Sequence, residues 1–233
     1  MICTEHLTKH FGKQQVLKDV QIRVKAGSCV ALIGPNGSGK TTLIKSILQM
    51  VIPDSGKIIF KGEDITGQWA YRSQIGFMPQ MTRYPENMTV QEVMTMMMNI
   101  RNAPQDFDTD LIERYRLHEM YSKRMGTLSG GMRQKVGASI AFLFKPDVLI
   151  LDEPTAGLDP LSSEILRQKI SQEILNGKAF VISSHVLSEL DEMVTDVVYM
   201  QDGQVLFQKS VEELMAETQE NKLSKMISKI IAY

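Results

Sequence analysis

Apolar and polar positions along the chain change period several times, and each change marks an element. Val20, Ile22 and Val24 alternate with polar neighbours, the two-residue period of a half-buried strand, and Ala26-Gly27 follows as a turn. Cys29–Ile33 is an unbroken apolar run, which predicts a strand buried on both faces. It enters a glycine-rich stretch, after which residues 41–49 read as a helix that stops before Pro53-Asp54-Ser55-Gly56. Residues 58–60 and 75–78 predict two short strands. From about 85 to 145 the texture is helical, with turn signals at Asn102-Ala103-Pro104 and at Gly126. Strand character returns at 147–151, 179–183 and 197–200, with a helix over 161–175 in between. Strands and helices in this order predict an α/β core interrupted by a helical insertion. Near the end, Leu223, Met226, Ile227, Ile230 and Ile231 recur at helical spacing with Lys222, Lys225 and Lys229 between them. That stripe is expected to pack on this chain or a twin rather than on lipid.

Composition narrows the class. With 233 residues and 43% apolar content the chain can bury a sizeable core. Its net charge of −1 and lack of a basic run argue against a large nucleic-acid footprint. No apolar run approaches the roughly 20 residues of a membrane-spanning helix, and no secretory signal is expected. Cys3 and Cys29 both fall in strand-like stretches and are expected to be reduced thiols. The expected location is cytoplasmic.

Three motifs carry chemistry. Gly34-Pro35-Asn36-Gly37-Ser38-Gly39-Lys40-Thr41 fits G-x-x-x-x-G-K-[ST] in full, between a predicted strand and a predicted helix. Small residues there let backbone N–H groups turn around phosphate oxygens, and the helix adds its positive end. Lys40 is placed to reach the β- and γ-phosphates, the Thr41 hydroxyl to ligate Mg²⁺, and Thr42 to donate to the α-phosphate. Farther on, the apolar run Val148-Leu149-Ile150-Leu151 closes with Asp152 and Glu153. Asp152 is placed to hold the Mg²⁺ shell and Glu153 to polarise an attacking water. Between these two lies Leu128-Ser129-Gly130-Gly131-Met132.

Taken together these residues resemble the ATP-binding subunits of ABC transporters, and the resemblance covers essentially the whole chain. It implies a P-loop NTPase fold of the ABC type, α/β, with an inserted helical subdomain and an N-terminal antiparallel β-region. It implies one ATP-binding domain over 1–233: an α/β core at 1–84 and 146–215, a helical subdomain at 85–145, and a C-terminal amphipathic helix at 216–233. Residue by residue, Phe11 matches the aromatic that stacks on adenine and Val16 the apolar contact beneath it. Gln80 matches the glutamine that touches Mg²⁺ and signals to membrane subunits. Ser129, Gly130 and Gly131 match the signature loop, which binds the γ-phosphate held by the other protomer. Asp159, in Leu158-Asp159, matches the loop at the dimer seam, and His185, in Ser183-Ser184-His185, the switch histidine on the γ-phosphate. The resemblance thus implies an ATPase using ATP and Mg²⁺, a homodimer or paired nucleotide-binding subunit, and a separate multi-span permease that holds the chain peripherally on the inner face of the cell membrane.

Soluble relatives use the same motifs. Lys40 and Ser129 are 89 positions apart, which leaves no room for a long coiled coil, but an assembly ATPase of the iron–sulfur type remains an alternative. Tyr84-Pro85-Glu86-Asn87-Met88-Thr89-Val90 resembles the stretch that docks a membrane partner's coupling helix, and favours transport. Within transporters the pattern is most similar to the copper-processing ATPases of nitrous-oxide reductase maturation. Arg83-Tyr84-Pro85, Ser188-Glu189-Leu190-Asp191 and Lys222-Leu223-Ser224-Lys225 carry that likeness, and exporters of drugs, lipids or polysaccharides share much of it. It implies an extracytoplasmic copper-handling partner. Ten of the sixteen methionines fall between Met78 and Met132, and thioethers suit Cu(I). Met96, Met97 and Met98 point in different directions on a helix, however, so a packing role is expected for them. Cys3, His6 and His10 are likewise expected to be structural.

Overall fold

The computed structural model describes residues 1–101 and 106–231. The turn expected at Asn102-Ala103-Pro104 lies outside the described residues, as do the last two residues of the tail. In chain order the elements are β1 (Ile2–Phe11), β2 (Gln14–Val24), β3 (Cys29–Ile33), α1 (Lys40–Ile47), β4 (Ser55–Phe60), β5 (Glu63–Asp64), β6 (Ile75–Met78), α2 (Val90–Ile100), α3 (Asp110–Arg114), α4 (Gly130–Leu143), β7 (Val148–Asp152), α5 (Pro160–Leu175), β8 (Ala179–Ser183), β9 (Asp196–Gln201), β10 (Gln204–Ser210), α6 (Val211–Thr218) and α7 (Leu223–Ile231).

Two sheets organise them. A six-stranded sheet has the order β10-β9-β3-β8-β7-β6, parallel from β9 to β6, with β10 antiparallel at one edge. A four-stranded antiparallel sheet has the order β2-β1-β4-β5. Every residue of β3, β7 and β8 is buried, as the continuous apolar runs predict for strands covered on both faces. Their side chains alternate between two cores. Ala31, Ile33, Leu149, Leu151, Phe180 and Ile182 join the core beneath α2, α4 and α5. Val30, Leu32, Val148, Ile150, Ala179 and Val181 join the one shared with α1 and the antiparallel sheet.

Parallel order places the site. The adjacent strands β3, β8, β7 and β6 all end on the same side of the sheet, so the segments after Ile33, Ser183, Asp152 and Met78 emerge together. Open α/β sheets bind ligands at this carboxyl edge. Between β6 and β7 the chain forms α2, α3 and α4. α2 starts with a reciprocal cap, Thr89 with Glu92, in which each side chain meets the other's backbone N–H. Lys169 of α5 ties this region to the core. It is 5% exposed and lies 2.7 Å from Asp108 and 2.9 Å from Glu173. Burial alone would lower its pKa, but the two carboxylates leave it raised.

Two sequence expectations need correction. The single tail helix expected over 216–233 is two helices, α6 and α7, and the first starts inside the range assigned to the core. Ser210 and Glu213 form the cap that starts α6, and Gln219, left-handed at φ 57°, ends it. β10 was not anticipated, because it lies at the sheet edge with Gln204, Gln208 and Lys209 among apolar residues that are only partly buried (Val205, Phe207) or exposed (Leu206). Among the described residues no helix is long and apolar enough to cross a membrane.

Candidate functional site

The glycine loop joins β3 to α1, and its backbone dictates its composition. Gly39 has φ 102°, a conformation that side-chain-bearing residues rarely adopt, and a Cβ there would lie 2.9 Å from the Val16 carbonyl oxygen. Gly34 is more restricted: a Cβ would fall 2.0 Å from the Met200 carbonyl oxygen. Gly39 stands at the N-cap of α1 with no side chain to cap the helix, so the first-turn amides face outward. They open on a cavity of about 300 Å³ lined by Asn36, Gly37, Ser38, Gly39, Lys40, Thr41, Thr42, Gln80, Asp152, Glu153 and His185, together with Gln14 and Val16. Lys40 Nζ donates to the carbonyl oxygens of Gly34 at 2.7 Å and Pro35 at 3.0 Å. Partial burial lowers its pKa, and Glu153 and Asp152 act in the opposite direction. The Ser38 hydroxyl is buried in this loop with no partner among the described residues.

Opposite the loop stand the carboxylates. Asp152 ends β7, buried, and accepts from the Ser183 hydroxyl at the end of β8. That hydroxyl also accepts from the Glu153 N–H at 3.1 Å. Glu153 takes φ 51°, left-handed, which is uncommon for a side-chain-bearing residue and concentrates at functional sites. The chain reverses there, and the Glu153 carboxylate meets two side chains from the segments that follow the neighbouring strands β6 and β8. Gln80 Nε2 donates to Oε2 at 3.1 Å, and His185 Nε2 lies 2.8 Å from Oε1. Three motifs distant in sequence thus meet within hydrogen-bonding reach, and the glycine loop faces them across the same cavity.

The signature residues stand elsewhere. Ser129 is the N-cap of α4, and its Oγ accepts from the Met132 N–H at 3.2 Å. Gly130 lines a second cavity of about 700 Å³, bounded also by Gln80, Arg133, Gln134, Ala156 and Gly157. A Cβ on Gly131 would lie 2.5 Å from the Gly157 carbonyl oxygen, so this loop packs directly on the turn after Glu153. None of the three lines the Lys40 cavity. Asp159 caps α5, accepting from the Ser162 N–H at 2.9 Å and hydroxyl at 2.7 Å, and pairs with Lys135 of α4 at 3.0 Å. Those bonds hold its pKa well below the usual carboxylate value. Phe11 ends β1, half exposed, under Lys9 Nζ at 5.6 Å; Val16, not Phe11, reaches the Lys40 cavity.

Sequence reasoning missed several residues. Gln14 lines the cavity but sits in an unremarkable polar stretch. Ser183, which joins the Asp152 carboxylate to the Glu153 backbone N–H, enters the sequence reading only as part of the histidine motif. Gln134 is buried on α4, accepting from Thr82 at 3.1 Å and donating to the Gln80 carbonyl oxygen at 3.4 Å. It thereby ties the loop of Gln80 to the signature helix. A buried glutamine on an otherwise apolar helix face was the signal that could have found it. Most methionines of this region pack: Met78, Met94 and Met125 are buried, and Met88, Met97, Met98, Met120 and Met132 rest against the core, whereas Met81 is exposed and Met96 lines a surface cavity. His6 pairs with Asp19 at 2.6 Å and His10 with Asp54 at 2.9 Å.

Comparison with known proteins agrees with this architecture. The family model described as ABC transporter matches residues 17–156, more than half of the chain. The uncharacterised ABC transporter ATP-binding protein YxlF of Bacillus subtilis strain 168 is 34% identical over 226 residues, covering 95% of this chain and 75% of that protein. The Nod factor export ATP-binding protein I of Ralstonia nicotianae is 30% identical over 221 residues, covering 92% and 68%. A solved ATP-binding subunit of an ABC transporter is 26% identical, with a TM-score of 0.89 over 99% of each chain. The chain belongs to the ABC transporter family, as an ATP-binding subunit with the ATP-hydrolysing cassette fold.

Proposed function

From that membership as premise, we propose that two copies of the chain close around two ATP molecules and drive an exporter-type permease in the cell membrane. One observation carries the reading. Lys40, Asp152, Glu153, Gln80 and His185 share a cavity, whereas Ser129, Gly130 and Gly131 offer donors outside it. The signature donors of one copy complete the γ-phosphate site of the other.

Within one copy the roles divide as follows. Lys40 exchanges the Gly34 and Pro35 carbonyls for the β- and γ-phosphate oxygens, and the loop amides with Ser38 and Thr42 hold the remainder of the triphosphate. Val16 meets the base at the cavity wall, and the half-exposed Phe11 ring stacks on it from outside the cavity. Thr41, Asp152 and Gln80 present hydroxyl, carboxylate and amide oxygens to one cavity, a donor set that fits Mg²⁺. Bound with ATP, Mg²⁺ supplies charge neutralisation at the phosphates. Glu153 orients the attacking water and takes up its proton. His185 moves from Glu153 to the γ-phosphate, and Gln80 senses the same event. Ser129 and the following glycine amides of the second copy exclude water and bind the oxygens on which charge develops. Asp159 holds the start of α5 at the seam between copies. Hydrolysis removes the bridging γ-phosphate and lets the copies part.

The Nod factor relative is named for export, which supports an exporter-type partner. The copper-processing reading rests on Arg83-Tyr84-Pro85 and the related sequence likenesses alone. Affinity purification of the chain from its own cells in mild detergent tests the proposal. Recovery of a multi-span membrane protein is the expected result, and copper proteins alongside it would favour the copper system. Recovery of soluble proteins only would contradict the transporter reading and favour an assembly ATPase.

A further inference from the structure

The loop that carries His185 is held from behind by the C-terminal helix. After His185 the chain makes a 3-10 turn, Leu187–Glu189, and Leu190, Met193 and Val194 then sink into the larger core. α7 packs on that turn and on α6. Leu223, Met226 and Ile227 of its apolar stripe are buried in the same core as Leu190. The loop also caps the helix: Asp191 Oδ1 accepts from the Leu223 N–H at 2.8 Å. A carboxylate in that position satisfies an otherwise unpaired donor and meets the positive end of the helix. At the far end, Lys229 Nζ donates to the Thr218 carbonyl at 2.9 Å and pairs with Glu220 at 2.7 Å, which fixes α7 to the end of α6.

Bonds inside the loop are local. The Val186 N–H donates to Ser184 Oγ at 3.0 Å and the Leu190 N–H to the Leu187 carbonyl at 3.0 Å. Such bonds set the loop's shape but not its position over the sheet. Position comes from long-range contacts, namely the Thr155 hydroxyl on the Glu189 carboxylate, the Asp191 cap and the buried stripe. Between these anchors and the sheet lies His185, 2.8 Å from Glu153.

We propose that α7 is a positioning element for hydrolysis, with Asp191 and Met226 acting through the 185–191 loop on the placement of His185. The proposal rests on the role given to His185 above. Reacting groups tolerate little displacement: an error of about 1 Å costs on the order of 10²-fold in rate. ATP binding is carried by β3, the glycine loop and α1, so it is spared.

The test compares steady-state ATP hydrolysis by the full-length chain with that of Asp191→Ala, Asp191→Asn, Met226→Ala and His185→Ala. Asp191→Ala and Met226→Ala should lower kcat by roughly tenfold while KM for ATP stays within about twofold. Asp191→Asn keeps an oxygen that accepts from the Leu223 N–H, and should recover most of the rate. Ile58→Ala, a core truncation in the antiparallel sheet, serves as a control and should leave kcat unchanged where it is folded. If kcat is unaltered in both Asp191→Ala and Met226→Ala, or falls equally in Ile58→Ala, the positioning role is overturned. A His185→Ala chain that hydrolyses at the wild-type rate would instead overturn the histidine assignment on which the proposal depends.

Discussion

Two helices of this chain begin at glycine-bearing loops and treat their N-termini in opposite ways. α1 starts at Gly39, which has no side chain to offer, and its first amides open on a cavity that also holds Lys40 and the carboxylates of Asp152 and Glu153. α4 starts at Ser129, whose hydroxyl caps its own helix, and Gly130 is exposed at the mouth of a different cavity. Both ends attract anions by the same physics. Only the first has Lys40, Asp152, Glu153 and His185 around it, while Gln80 borders both cavities. The contrast separates a complete phosphate cradle from a detached set of donors, and it is the physical ground for assigning the second set to another copy's nucleotide.

Changing each region in turn sharpens that contrast. Lys40→Ala, the most damaging change, removes the cation from the cradle. Nucleotide affinity should fall by about 100-fold or more and hydrolysis to background, as read by a nucleotide-binding titration and phosphate release; wild-type binding would sink the cradle assignment. Ser129→Arg should abolish hydrolysis while a single chain still binds ATP within about twofold of wild type, because the new side chain blocks only the partner's site. Loss of binding by the isolated chain would place Ser129 in the same site as Lys40. Lys169→Met should act on the fold instead, since Asp108 would be left largely buried without its cation and Glu173 with Lys178 as its remaining one. A loss of roughly 3–5 kcal/mol in denaturant-measured stability is expected, with ATP binding retained by the folded fraction.

The smallest effect concerns Asp159. Its folded-state pKa is depressed, so its contribution to stability is present above the ordinary carboxylate pKa. It is lost as pH falls through the folded value. Asp159→Asn, which still caps α5, should flatten the acid limb of the thermal-stability profile and leave the neutral region close to wild type. An unchanged acid limb would show that the Ser162 and Lys135 bonds do not depend on the charge.

Much of this molecule is legible in its residues because the signals are local. The eight positions from Gly34 to Thr41 specify a loop whose glycines the structure needs. The buried strands announced themselves as apolar runs, and the expected strands at 75–78 and 179–183 match β6 and β8 in full. What could not be read is long-range. No pattern near Asp191 says that it caps a helix starting 32 positions later. Nothing beside Gln134 points to the Gln80 backbone 54 positions away. The left-handed turn at Glu153 arises from its place between β7 and the Ser183 bonds, not from glycine or asparagine in the sequence. The tail shows the limit from the other side. Its helical period was plain, but the break at Gln219 and the surface that α7 covers depend on tertiary contacts.

The most direct measurement follows the mass of the particle in solution for Glu153→Gln, in which, on the role proposed for Glu153, nucleotide should bind while water is not activated. With ATP and Mg²⁺ this chain should have the mass of two copies, and without nucleotide the mass of one. Adding Ser129→Arg should return it to one copy in the presence of ATP. A single-copy mass throughout, or a dimer indifferent to Ser129→Arg, would contradict a site divided between two chains.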